Sequence, residues 1–134
     1  MQTKFFSPHA LSADLGLLFL RIFSAAAFLT HGWAKLQNVL AGHMEFADPI
    51  GLGPTATLYL AIFSELVCAI CILLGLFTRI AVIPPLITMV IAFVIVHHAD
   101  LFNVKELAFL YFGMFATLFF TGPGRISVDR IIFK

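Results

Sequence analysis

The sequence predicts an all-α integral membrane protein, a four-helix bundle with both termini on the cytoplasmic side. Composition, length and the placement of the basic residues predict it. Of 134 residues, 61% are apolar and 11% are charged, against about 45–50% and about 25% in soluble domains. The mean hydropathy is +1.04, and sixteen Phe residues make the apolar surface too large for a soluble domain of this size to bury. A spanning helix needs about 20 residues, so four take about 80 and leave about 54 for loops and tails. Six would take about 120 and leave too little chain for five loops. Residues 1–134 therefore read as one membrane domain, with spans about 14–36, 55–77, 80–97 and 105–121. An even number of spans puts both termini on one side. That side collects Lys4, Arg79, Arg125, Arg130 and Lys134, against Lys35 and Lys105 on the other, and the basic side faces the cytoplasm.

The same composition excludes a disordered chain and a secreted disulfide scaffold. Eight Lys and Arg against seven Asp and Glu, net +1, offer no basic patch for nucleic acid. Lys4 is followed by Ser-Pro-His, and no small-residue cleavage site ends the first apolar run, so insertion through the first helix itself is expected.

The first span starts near Ser12 or Asp14, either of which can cap a helix, and carries Arg21 within it and Lys35 at its end. Gln37 to Pro54 is the one long polar loop, broken by Gly and Pro, with Met44–Ile50 a candidate interfacial helix. The second span has a single charge, Glu65, and ends at a tight turn around Gly75 and Thr78-Arg79. The third places Pro84 and Pro85 near its start, where a missing N–H costs least, and ends at His97, His98 and Asp100. The fourth is charge-free from Leu107 onward and stops at Gly122-Pro123-Gly124. A polar tail follows.

Arg21 and Glu65 need a reason to be in hydrocarbon, where a charge costs at least about 2.5–3.5 kcal/mol. Arg21 lies seven residues past Asp14, about 10 Å in, and Glu65 lies twelve before Phe77, about 18 Å in from the same side. A long Arg side chain could close that gap, so a buried Arg21–Glu65 pair is expected. Its role is either to fix helix register or to line a pocket for a ligand headgroup or a proton. His31 and Lys35 fall about −80° and −40° from Arg21 on the helical wheel. With His97, His98 and Glu106 at the outer level, they outline a polar funnel. Lys35 and Trp33 also suit plain interfacial anchoring.

Haem would require His31 and His97 as axial pair, since no Cys-x-x-Cys-His motif is present and adjacent His97 and His98 diverge by about 100°. Cys68 and Cys71 have redox-pair spacing but no relay pair beyond them, and read as packing residues. The run Gly122-Pro-Gly-Arg-Ile-Ser-Val-Asp reads as a structural clamp in which Asp129 pairs with Arg125 or Arg79. No metal-ligand set, flavin, Fe–S or nicotinamide motif stands out.

Taken together, these residues resemble the DoxX family of small four-helix bacterial membrane proteins. The resemblance rests on Arg21, Phe28, His31-Gly32 and Lys35-Leu36; on Glu65 and Leu74-Gly75-Leu76-Phe77-Thr78-Arg79; on Met89, Ala92 and His97; and on Glu106 with Gly122-Pro-Gly-Arg-x-Ser-x-Asp129. Ala25 and Cys68-Ala69 depart from it, standing where the family often has glycine. The resemblance implies an inner-membrane, multi-pass protein. It also implies a component of a redox system that binds a quinone or a similar amphipathic molecule, working with a partner redox protein or as a homo-oligomer. Arg21, His31, Lys35, Glu65, His97 and Glu106 would then be ligand-binding, and Arg79, Arg125 and Asp129 structural. The second reading is a non-enzymatic membrane scaffold or chaperone whose polar core only holds the fold. A transporter is disfavoured by the absence of an internal repeat.

Overall fold

Ser12 begins the first helix by turning its hydroxyl back onto the Leu15 N–H, the expected N-cap. The computed structural model describes residue 10 and residues 12–134, so Lys4 lies outside the described residues. Helix α1 runs Ala13–Leu40, α2 Pro54–Leu74, α3 Thr78–Val96 and α4 Phe102–Thr121. A short α5, Val128–Ile132, is capped by Ser127 in the tail that reads as plain polar chain in the sequence. Each of the four long helices is long and apolar enough to cross a membrane.

The boundaries shift for identifiable reasons. Helix α1 continues past Leu36 for another turn, and its 28 residues span about 42 Å, well beyond a hydrocarbon core of about 30 Å. Helix α2 stops at Leu74 because Gly75 takes the left-handed conformation, φ 71°. In α3 a first turn, Thr78–Ala81, breaks at Val82 before the helix resumes at Ile83, since Pro84 and Pro85 supply no N–H to the preceding turn. Met44–Ile50 forms no helix. Instead Asp48 accepts from the Gly53 N–H at 3.0 Å and the Thr57 hydroxyl at 3.1 Å, folding the loop over the start of α2.

The helices alternate in direction and close into a ring: α1 packs on α2 and α4, and α3 packs on the same two. The start of α1 and the tail share one end, where the Arg125 N–H donates to Asp14 at 2.8 Å. That end is the tail end, and the opposite one, with the long loop, is the loop end. The core is dense toward the tail end, where Phe28, Tyr111 and Phe115 cluster with centroids 5.0 to 5.9 Å apart over Ile72, Val82 and Leu118. Large apolar side chains such as Phe19, Phe23, Leu60, Ile87 and Phe120 face outward. This is the inverse of a soluble bundle and is what a lipid environment requires.

Candidate ligand site

Arg21 is not paired with Glu65. Its Nη1 donates to the Pro123 and Ile126 carbonyls, each at 2.8 Å, and its Nη2 to the Leu73 carbonyl at 3.3 Å. Helix α1 passes Glu65 at Gly32, where an added Cβ would sit 2.7 Å from the Glu65 carbonyl carbon. Arg21 is eleven residues away from that level, about 16 Å along the helix axis, beyond the reach of its side chain. The guanidinium instead neutralises orphan carbonyls where α2 ends and the tail begins, a use of its fork geometry that Lys cannot copy.

The rest of the tail motif completes this clamp. Asp129 accepts from the Phe77 and Thr78 N–H groups, at 2.6 and 2.9 Å, and caps α3, while its own N–H donates to the Gly75 carbonyl. The expected pairing with Arg125 or Arg79 is replaced because those free N–H groups lie nearer. Arg125 meets Asp14 at 3.8 Å, and the Arg79 guanidinium lies beside Gly122. Gly75 admits no side chain, since a Cβ there would sit 2.6 Å from Ser127 and 2.7 Å from Arg21.

Glu65 pairs with Lys35 at 2.5 Å. Both belong to the loop-end half of the bundle, but Glu65 is at mid-span of α2 while Lys35 is a turn beyond Gly32. The Glu65 side chain is 7% exposed and that of Lys35 24%. A lone carboxylate at this depth would be costly, and a cation on a flexible stem is the cheapest partner the neighbouring helix offers. Two local backbone features aim the groups. Phe63–Cys68 is a π-helical segment that widens α2 at Glu65. Ala92–Val96 is a second, closed by the His97 N–H on the Ala92 carbonyl at 3.0 Å, and it sets His97 at the loop end of α3. Such segments recur at functional sites because they re-aim side chains.

Two cavities meet at this pair. An interior cavity of about 250 Å³ is lined from α1, α2, α3 and α4 by Phe28, His31, Lys35, Glu65, Met89, Ala92, His97, Val104, Lys105, Leu107, Ala108 and Tyr111. A larger groove of about 530 Å³ lies between α2 and α3, walled by residues such as Leu60, Phe63, Ile87 and Ile91 and roofed by Phe46, Ala47, Pro49 and Ile50 of the loop. Lys35, Glu65, Met89, Ala92 and His97 border both. The groove is overwhelmingly apolar apart from this end and the Ser64 and Thr88 hydroxyls, 2.9 Å apart. Leu60, Phe63 and Ile87 are about half exposed, so it opens sideways, toward the lipid phase.

Of the residues singled out in the sequence, His31, Lys35, Glu65 and His97 converge on the cavities. His31 stands edge-on to Tyr111, centroids 6.0 Å apart. His97 is held by Asp100, Nδ1 to Oδ2 2.6 Å. Arg21 and Glu106 border neither cavity; Glu106 is exposed on the outside of α4. His98 turns its Nδ1 to the Ile95 carbonyl. Sequence reading misses Tyr111, Lys105, Ser64 and Thr88. Lys105 lies 4.7 Å over the Phe93 ring, and its seat at the start of the fourth span was the one available signal. Cys68 and Cys71 are free thiols, the first buried and the second packed against the core.

The DoxX family profile matches residues 16–98. The chain is similar to inner membrane protein YqjF of Escherichia coli (strain K12), 33% identical over 126 residues that cover 90% of this chain and 95% of that one. It is 35% identical over 129 residues to an uncharacterized protein of Haemophilus influenzae, covering 88% and 91%. It is 29% identical over 124 residues to the Bacillus subtilis protein named "Putative oxidoreductase CatD", covering 92% and 91%. No solved structure gives a significant match. Four apolar spans and these relatives make it a multi-pass protein of the inner membrane. By the family match and the near full-length relatives, the chain belongs to the DoxX family.

Proposed function

We propose that the protein binds a quinone or a similarly amphipathic molecule in the groove between α2 and α3, as the membrane component of a redox system. The observation that carries this reading is the Lys35–Glu65 pair, with Glu65 buried at mid-span and Lys35 partly exposed, at one end of an apolar groove open to the side. Its volume of about 530 Å³ falls within the range of small-molecule sites, about 300–1,000 Å³, which combine apolar walls with a few convergent polar groups. The residues suit a quinone. Leu60, Phe63, Ile87 and Ile91 would contact the ring and the start of its tail. Lys35 carries N–H donors for a carbonyl oxygen of the ring, and His97, with its Nδ1–H on Asp100, offers Nε2 as an acceptor for a hydroxyl of the reduced form. Asp100 on Nδ1 orients the His97 ring and leaves its other nitrogen for the ligand. A bound quinone supplies the redox chemistry; the chain's own residues bind it, orient it and keep bulk water from the apolar walls. The electron donor would be a partner redox protein. The name of the Bacillus subtilis relative points to the same class. The basic residues of the tail end support a cytoplasmic orientation for that end.

Native mass spectrometry of the gently extracted protein tests the reading, with decylubiquinone titration of Glu65→Gln and His97→Ala beside the native chain. Retained quinone, and weaker decylubiquinone binding by both variants, support it. Retention of phospholipid or partner protein alone, with no decylubiquinone binding, favours the membrane scaffold.

A further inference from the structure

Glu65 borders two spaces whose linings differ. The lateral groove is apolar and faces lipid. The interior cavity gathers titratable side chains from every helix: His31 and Lys35 of α1, Glu65 of α2, His97 of α3, and Lys105 and Tyr111 of α4. It reaches the loop-end surface, where Val104 is 54% exposed and the His97 side chain 36%. A cavity of about 250 Å³ has room for several waters, at about 30 Å³ each, and the six titratable side chains on its wall offer them hydrogen-bond partners. The tail-end route is closed, since Phe28, Phe115, Ile72 and Leu118 fill the bundle below it.

We propose that the interior cavity is a water-filled proton inlet, open only at the loop end, and that Glu65 is the group through which a proton passes from it to a ligand in the lateral groove. This rests on the reading that the groove binds a ligand. The step balances simply. A water-borne proton adds to a Glu65 carboxylate oxygen on the interior side, releasing Lys35. Glu65 then yields the same proton to a basic oxygen of the groove ligand, and the carboxylate re-forms its pair with Lys35. The fold supplies what such a path needs: one carboxyl between a wet and a dry space, a cation on a flexible stem that can let go of it, and His97 oriented by the exposed Asp100 at the mouth. Lys105 and the exposed His31 also line the cavity, so any pH response includes them.

The experiment uses the full chain in proteoliposomes, with Cys68→Ala and Cys71→Ala as background. Ala108→Cys probes the interior cavity and Ile87→Cys the groove. A charged methanethiosulfonate reagent should label the cysteine at 108 on the order of 100-fold faster than that at 87, reflecting the penalty of a charge in hydrocarbon. A lipid-soluble maleimide should label position 87. Infrared spectra are taken of the native chain with decylubiquinone added and of the Glu65→Gln variant. A protonated-carboxyl band should appear on acidification, exchange in heavy water within seconds and be missing from Glu65→Gln. A dry position 108, or a Glu65 band that does not exchange, overturns the inlet. Decylubiquinone binding on the same samples separates the two ideas: binding with a dry cavity sinks the inlet alone, whereas a wet cavity and an exchanging carboxyl without binding sink the groove ligand and leave the inlet.

Discussion

Gly32 and Glu65 are in backbone contact: the position a Gly32 Cβ would take lies 2.7 Å from the carbonyl carbon and oxygen of Glu65. This approach fixes the depth of α1 against α2, and with it the partner of the only charge near the middle of α2. Lys35, one turn beyond Gly32, is in reach; Arg21 is not. It also sets the π-helical segment of α2 directly against α1. Glu65 is thus held by the backbone as well as by its ion pair.

Gly32→Ala should therefore destabilise the bundle, because the atom it meets is backbone and cannot rotate away. An overpacking cost of about 1–3 kcal/mol is expected, read as a fall in detergent melting temperature. Gly16→Ala is the matched control, with nothing within 4 Å of its Cβ. As an ordinary helix position it should be neutral or stabilising by up to about 1 kcal/mol. Equal melting temperatures for both variants would mean that α1 does not approach α2 this closely.

Lys35→Met leaves Glu65 without its cation, and Glu65→Gln leaves Lys35 without its anion. Losing one partner of a buried pair costs about 3–5 kcal/mol; Lys35 is a quarter exposed, so its loss of Glu65 should cost less than that. The double variant Lys35→Met with Glu65→Gln should recover much of the stability, since no lone charge remains. It should still bind decylubiquinone weakly. Full recovery of binding with stability would make the pair a structural element only.

Arg21→Lys and Arg21→Ala should both lower the melting temperature, and Lys should rescue little. Three carbonyls lose a charged donor, and each such hydrogen bond is worth about 1.5–3 kcal/mol. The fraction that folds should keep native decylubiquinone affinity, because Arg21 borders neither cavity. Weakened affinity in a fully stable Arg21→Lys protein would bring Arg21 back to the ligand.

Tags at the two termini should be shielded from external protease in intact spheroplasts, and a tag inserted after Gly42 should be cut. The basis is the concentration of Arg79, Arg125, Arg130 and Lys134 at the tail end. Cleavage at the termini with protection at Gly42 would invert the orientation.

Four spans in one bundle, their approximate limits and a structural role for the tail motif were legible in the sequence. Each is set by local chemistry: apolar runs of spanning length, helix-breaking Gly and Pro, and residues suited to capping. His31, Lys35, Glu65 and His97 were also legible as candidates, because a charge or imidazole within an apolar run needs a reason. The pairing among them was not. Depth counted from predicted helix ends put Arg21 and Glu65 within reach, but that count takes the start of α1 and the end of α2 as level, whereas Arg21, about two turns into α1, already meets the Leu73 carbonyl at the end of α2. Only the contact of Gly32 with α2 determines which charge faces which. The π-helical turns that aim Glu65 and His97, and the groove between α2 and α3, were equally invisible. They arise from how whole helices pack, and no periodicity within one helix carries that information.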